Sequence, residues 1–239
     1  IHRVVLALDK SEQEDIEKII SILSEKDVEV KLVPETFQIV SGSVKSENIF
    51  GALLIDIDTG LMPEWQRNMK RLMDVMLASL SIILLFPLMI FFFFRTRLSS
   101  PGPMIFTQER MGYKGKPFYI HKFRSMYMDA EKNGPALSSE NDKRITPWGR
   151  VMRKWRIDEL PQLWNIIKGE MSFVGPRPER KYYIQLISKE TPYYRYLLKV
   201  KPGLTSWGMV QFGYASSVTE MIERMKYDLV YIENISLLL

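Results

Sequence analysis

Asp158 and Glu159 stand side by side in the run Arg150-Val-Met-Arg153-Lys154-Trp155-Arg156-Ile157-Asp158-Glu159-Leu160-Pro161-Gln162-Leu163-Trp164-Asn165. Read as structure alone, Asp158 is a helix N-cap, with Pro161 in the first turn where its missing N–H costs nothing. Glu159 is then a solvated carboxylate and the arginines an exposed face. Read as chemistry, the same run is an anion site. Free N–H groups and the dipole favour phosphate at a helix start, and guanidinium donors match phosphate oxygens. Two carboxylates there would repel bare phosphate unless a divalent cation offset them. The combination suits a centre where Mg2+ bridges carboxylate and pyrophosphate and one carboxylate attacks phosphorus. The residues alone leave both readings open.

A second candidate lies downstream, in Gly169-Glu170-Met171-Ser172-Phe173-Val174-Gly175-Pro176-Arg177-Pro178-Glu179-Arg180. The prolines flanking Arg177 restrict the backbone and hold the side chain in a set direction. A surface turn with a salt-bridged Arg fits as well as a phosphate clamp. A third pattern, Asp56-Ile57-Asp58, resembles a metal-binding D-x-D at a strand end. Three-residue patterns arise often by chance, and this one sits in an acidic stretch far from the others.

Composition narrows the chemistry. There is no Cys, and His2 and His121 are the only histidines among 239 residues. Thiolate metal sites, disulfides and His-rich zinc or iron centres are therefore excluded. A metal here must be a hard ion on oxygen ligands, Mg2+ by default beside phosphate. Residues 1–60 carry 6 Lys/Arg against 12 Asp/Glu, whereas residues 61–239 carry 27 against 16. The basic body calls for an anionic partner. Its basic residues cluster around an apolar segment and an acidic pair, which argues for lipid headgroups or a phosphorylated substrate and against nucleic acid.

These residues need elements to position them. Arg3–Leu8, Val28–Val33 and Gly51–Asp58 read as strands, with an amphipathic helix over Glu12–Ser24, implying a small parallel α/β unit. The chain opens directly in a strand-like run, without an initiator Met or a signal-peptide plan, as expected for part of a longer protein. Met62–Asp74 is a charged lead-in helix. From Val75 to Phe94, twenty consecutive residues carry no charge, enough to cross a hydrocarbon core of ~30 Å. Lys70 and Arg71 precede this segment and Arg95 and Arg97 follow it, so a crossing would misplace one basic pair. Pro87 lies inside and removes a backbone hydrogen bond. A helix that enters, bends at Pro87 and returns to the same face satisfies both observations. Ile105–Arg110 and Phe118–Phe123 read as a hairpin, residues 129–147 as a mobile polar loop, and Trp148–Trp155, Leu160–Lys168, Arg180–Lys189 and Thr219–Glu233 as helices. Tyr193, Tyr194, Tyr196 and Trp207, mixed with Arg195, Lys199 and Lys201, suit a membrane interface.

With these motifs in order, the chain resembles the bacterial sugar transferase family, the polyprenyl-phosphate hexose-1-phosphate or monotopic phosphoglycosyl transferases. The matching residues are Ser100-Pro-Gly-Pro, Gln108-Glu-Arg-Met-Gly, Gly115-Lys-Pro-Phe, Lys122-Phe-Arg-Ser-Met, Arg144-Ile-Thr-Pro-Trp-Gly-Arg and Asp158-Glu-Leu-Pro-Gln-Leu-Trp-Asn. They continue through Lys168-Gly-Glu-Met-Ser-Phe-Val-Gly-Pro-Arg-Pro, Lys201-Pro-Gly-Leu-Thr and Tyr227-Asp-Leu-Val-Tyr-Ile-Glu-Asn. The likeness covers about residues 66–239. Two departures stand out: Phe86 where many relatives have Ser before the bending proline, and Ser206 where Gly commonly follows.

The resemblance implies a fold in three parts. Residues 1–60 would be the C-terminal part of a Rossmann-like α/β regulatory domain, and 61–98 an amphipathic lead-in with a re-entrant membrane helix broken at Pro87. Residues 99–239 would be a mostly α, membrane-associated catalytic domain with a short β-hairpin. The resemblance further implies transfer of a sugar-1-phosphate from a UDP-sugar to undecaprenyl phosphate, with release of UMP, as the first step of cell-surface polysaccharide synthesis. Asp158 would be the nucleophile, Glu159 its assistant, and Mg2+ would sit at the pair. Arg177 is implied as a phosphate-binding residue, with Arg153, Arg156, Lys122, Arg124 and Gln162 as further substrate-binding candidates. The setting would be the cytoplasmic face of the bacterial inner membrane, in contact with lipid, and larger members make a homodimer plausible.

Overall fold

The structure is a computed structural model that describes residues 3–6, 19, 23, 29–32, 55–57, 62–132, 134–137 and 142–237. The chain divides into two compact units, Ile1–Pro63 and Glu64–Leu239. In the first, β1 (Arg3–Leu6) pairs parallel with β2 (Glu29–Leu32), which pairs antiparallel with β3 (Ile55–Ile57). All three expected strands are present in shortened form, but the third runs against the second, so the sheet is mixed. Ile19 and Leu23 are helical; the rest of the helix expected over Glu12–Ser24 lies outside the described residues, as does Asp58. Asp56 lies in β3, in register with Lys31.

The second unit is mostly helical. It opens with α1 (Glu64–Ser99), 36 residues that continue through Pro87. The lead-in and the apolar segment are thus one helix rather than two elements meeting at a break. The reason is a contact stripe that runs along both sides of the proline. Asp74, Ala78, Ile82, Met89, Phe92 and Thr96 recur at spacings of three, four and seven and face the protein, one stripe of a 3.6-residue period. Ala78 and Ile82 pack among Phe118, Ile120, Leu163, Ile166 and Met171. Met89, Phe92 and Phe93 pack with Phe123, Met152, Trp148 and Ile157. The opposite faces expose Met76, Leu77, Leu80, Ile83, Leu84, Phe86, Phe91 and Phe94.

The first turns of α1 are also clamped by polar contacts. Arg71 donates to the carbonyl oxygens of Ile166 (2.5 Å) and Ile167 (2.7 Å). Lys70 bonds Ser172 Oγ, and the Asp74 carboxylate accepts from the Phe173 amide.

β4 (Ile105–Met111) and β5 (Pro117–Phe123) form the expected antiparallel hairpin, joined through the short 3-10 turn Tyr113–Gly115. After the hairpin, Arg144 gathers the polar connection. Its guanidinium holds the Asp142 carboxylate and the carbonyls of Ala130 and Leu137. Thr146 then caps α2 (Pro147–Lys154) by accepting from the Gly149 amide. Gly149 lies so close to the Ser125 carbonyl that a Cβ there would overlap it.

The 3-10 helix Ile157–Gln162 leads into α3 (Leu163–Lys168), closed by Gly169 at φ 86. β6 (Ser172–Val174) and β7 (Gly203–Thr205) make a two-stranded parallel sheet. Around it lie α4 (Lys181–Glu190), α5 (Tyr194–Leu197), α6 (Trp207–Gln211) and α7 (Val218–Glu233). Tyr193 and Trp207 are exposed, but Tyr194 is buried, so it cannot serve a surface as expected.

Arg71→Met removes the side-chain donor from two helix-end carbonyls, of which that of Ile166 keeps the Gly169 amide. It is expected to lower stability by about 1–3 kcal/mol, read as a lower thermal midpoint in detergent. An unchanged midpoint would show that the clamp does not hold α1 to the unit.

Candidate active site

The site grows from three segments. Along β5, Phe118, Ile120 and Lys122 alternate onto one face, and the two apolar side chains enter the core while Lys122 reaches the 3-10 helix. The second segment is the turn after α2. Arg156 adopts φ 56, ψ 21, the left-handed region that a non-glycine residue enters at a cost. This reversal ends α2 and starts the 3-10 helix, so Asp158 lies inside that helix and the N-cap position belongs to Arg156. The expected capping role for Asp158 is corrected accordingly. Leu160 anchors the segment by packing into both apolar clusters.

Asp158 and Glu159 are 6% and 7% exposed, yet their surroundings differ. Glu159 has both oxygens engaged: Lys122 Nζ lies 2.9 Å from Oε1, and Arg156 Nη1 lies 3.0 Å from Oε2. Burial alone would raise its carboxyl, but Lys122, Arg177 and Arg156 outweigh burial and hold it at about 2. No side chain among the described residues donates a hydrogen bond to Asp158. Burial raises its carboxyl, Lys122 opposes the rise, and the charge on Glu159 adds to it. One carboxylate is thus a fixed anion, and the other is met by its own backbone amide but by no side-chain donor among the described residues. Burial lowers Lys122, and the charge on Glu159 only partly restores it.

The third segment is the Pro-Arg-Pro turn. Asp228 of α7 accepts hydrogen bonds from the backbone of Arg177 and Gly208. Burial pulls the Arg177 guanidinium down, and Glu159 and Glu179 more than offset it. Glu179 is a buried hub for Arg224 (2.6 Å), Arg110 (3.2 Å) and Arg177 (3.9 Å). Arg177 therefore bridges Glu179 behind and Glu159 in front.

Of the expected substrate-binding residues, Lys122, Arg156 and Arg177 converge on the pair. Arg153 acts on Asp158 by charge, while its Nε bonds Ser125 Oγ at 3.0 Å. Arg124 points elsewhere: its guanidinium holds Ser100 through the carbonyl (2.5 Å) and the hydroxyl (3.1 Å). It fixes the entry to β4 and does not reach the site. Gln162 is buried with its Nε2 unpartnered. Sequence reasoning missed Glu179, Asp228 and Tyr214. The first two lie within quoted motifs, but only the fold brings them behind Arg177.

Fit to a metal follows from the same geometry. Among the described residues, no three His, Cys, Asp or Glu gather to hold an ion. Both Glu159 oxygens are paired with cations, whereas Asp158 has no side-chain donor among the described residues and is the more available of the two to a hard ion. Asp158 would hold a hard ion such as Mg2+, which would supply charge neutralisation beside phosphate.

Comparison with known proteins now decides the family. The sequence model of the bacterial sugar transferases matches residues 65–239. The chain belongs to the bacterial sugar transferase family. It is 42% identical over 168 residues to an Aeromonas hydrophila UDP-N-acetylgalactosamine-undecaprenyl-phosphate N-acetylgalactosaminephosphotransferase, covering 70% of this chain and 40% of that one. It is 33% identical over 238 residues to the Escherichia coli K12 UDP-glucose:undecaprenyl-phosphate glucose-1-phosphate transferase, covering 97% and 50%. It is 34% identical over 197 residues to the Salmonella typhimurium undecaprenyl-phosphate galactose phosphotransferase, covering 76% of this chain. The chain spans about half the length, or less, of these three curated relatives.

The folded Glu159 carboxyl lies at about 2, below its ordinary 4.5. Its contribution to stability is full above the ordinary range and is lost as pH falls from 4.5 towards 2. Glu159→Gln should remove that part of the acid dependence, worth at most about 3 kcal/mol. Denaturant titrations of both proteins at neutral pH and at acid pH check this. The stability gap should be widest at neutral pH and shrink on acidification.

Proposed function

We propose that this chain is the catalytic part of an enzyme that moves a sugar-1-phosphate from a UDP-sugar to undecaprenyl phosphate. An Asp158 oxygen attacks the phosphorus that bears the sugar. The phosphoanhydride bond breaks and UMP leaves with its electron pair, giving an aspartyl phosphosugar. An oxygen of undecaprenyl phosphate then attacks the same phosphorus, and Asp158 departs as a carboxylate. One anhydride replaces another, so no outside energy source is required. Splitting the transfer this way makes it ping-pong.

The observation that carries the reading is the asymmetry of the pair. Glu159 is spent on Lys122 and Arg156, whereas Asp158 is held by its own backbone amide and by no side-chain donor among the described residues, which leaves it the carboxylate to attack. Arg156 and Arg177 supply planar donors for phosphate, and Lys122 supplies a compact charge. Glu159 assists by holding Lys122 and Arg156 in place. Mg2+ would be held by Asp158 and the donor's pyrophosphate, and would supply charge neutralisation during transfer. The relatives' names support the reaction class and differ in the sugar: N-acetylgalactosamine, glucose and galactose.

The apolar outer faces of α1 support membrane attachment, because so large an exposed apolar surface is costly in water. The helix is long and apolar enough to cross a bilayer. Contacts from Asp74 to Thr96 with the same compact unit favour a path that stays at one face. We place that face at the cytoplasmic side of the bacterial inner membrane, where the enzyme would initiate cell-surface polysaccharide synthesis. Residues 1–60 are read as the end of a regulatory α/β domain, and homodimerisation belongs to the same proposal.

Incubation of the chain in detergent with UDP-sugars, undecaprenyl phosphate and Mg2+ should release UMP. Asp158→Asn should reduce release by at least ~1000-fold, and Asp56→Ala should leave it intact. Full release by Asp158→Asn would remove the nucleophile. Chelation of Mg2+ with EDTA should stop turnover, and restored Mg2+ should recover it.

A further inference from the structure

Tyr214 is an aromatic side chain that lies in contact with the cations of the site. It follows Gly213, whose φ of 89 requires the left-handed region, and precedes buried Ala215. The turn lifts the tyrosine out of the core, leaving it 65% exposed. Its ring centre lies 5.2 Å from the Arg156 guanidinium and 6.0 Å from that of Arg177. Those two arginines also flank Glu159 beside Lys122, Arg156 by a direct ion pair and Arg177 by charge.

With so much of its surface open, the ring is not enclosed by the two arginines. It keeps area for another planar partner. Moving outward, the site thus presents a carboxylate nucleophile, then guanidinium donors, then an exposed aromatic ring. A nucleoside diphosphate ester matches that order: the reacting phosphorus, the remaining phosphate, then a planar base. We propose that Tyr214 stacks against the nucleobase of the donor and so helps determine which nucleotide the enzyme accepts. The inference rests on the transferase reading of the site and adds the base contact to it. It also gives the arginines a second role, since a guanidinium against one part of the ring fixes its tilt while the rest meets the base.

Binding tests this without turnover. UMP and inorganic pyrophosphate serve as probes, titrated calorimetrically into the full chain in detergent, for the wild type, Tyr214→Phe and Tyr214→Ala. Stacking predicts that Tyr214→Ala weakens UMP by ~10-fold, leaves pyrophosphate unchanged, and is rescued by Tyr214→Phe. Unchanged UMP affinity in Tyr214→Ala would overturn the proposal. So would equal loss of UMP and pyrophosphate, because Tyr214 would then only order the arginines. A wild type that binds neither probe would remove the transferase reading itself, and the inference with it. The exposed position of the ring keeps folding out of the comparison, and matching thermal midpoints for the three proteins verify that.

Discussion

Two adjacent carboxylates withdrawn from water set the terms for everything near them. A buried charge is tolerated only when paired and hydrogen-bonded, because desolvation otherwise exceeds what packing returns. Glu159 meets that demand with Lys122 and Arg156 at 2.9 and 3.0 Å. Those cations must in turn be held, which explains why the hairpin, the turn after α2 and the Pro-Arg-Pro segment converge. β5 presents Lys122 on its core face, the left-handed turn aims Arg156 back at its own helix, and Asp228 pins the backbone of Arg177. Leu160, packed into both apolar clusters, fixes the carboxylates relative to all three.

Behind this ring the signs alternate. Glu179 sits between Arg177 in front and Arg110 and Arg224 behind. On the proposed reading Arg177 faces a phosphate, and a positive group in that place cannot be fully neutralised from its own side, or it would have nothing to offer. Sharing Glu179 among three arginines avoids that, since one carboxylate leaves net positive charge over the group. The donors are therefore oriented before any anion arrives, and little reorganisation is needed when one does. Glu159 is the local counterpart: it keeps Lys122 and Arg156 in place while no side chain among the described residues bonds its neighbour.

Much of the scaffold was readable because its signals are periodic. The hairpin, α2, α4 and α7 follow from alternation and helical spacing, and their bounds shift by no more than a few residues. The left-handed Arg156 was not readable, since no Gly or Asn marks it, and with it went the expected N-cap at Asp158. Arg124 stood among the candidates with Lys122, within the matching run Lys122-Phe-Arg-Ser-Met. Alternation in a strand puts such neighbours on one face only while the strand lasts; β5 ends at Phe123, and Arg124 turns to Ser100. Tyr194 looked like an interface residue beside Tyr193, whereas the one-turn helix α5 buries it against the Glu179 hub. The strands β6 and β7 are three residues each, too short for a pattern. The convergence of Asp228, Glu179 and Tyr214 on Arg177 depends on long-range folding that spacing does not encode.

The same logic of faces bears on the membrane. A helix that merely anchors a domain needs no contact with it beyond one end. Here the stripe from Asp74 to Thr96 joins both apolar clusters of the second unit, and those clusters share Leu160, one residue after Glu159. The helix is thus structural to the site as well as apolar towards its surroundings. On the proposed reading, this coupling solves a problem of geometry: the donor is water-soluble, the acceptor phosphate is tethered to lipid, and one aspartate must meet both in turn. A flexible tether would let the carboxylate wander from the headgroup plane. A helix built into the core behind Leu160 fixes the distance between its lipid-facing side and Asp158, so membrane attachment and active-site assembly are a single packing event.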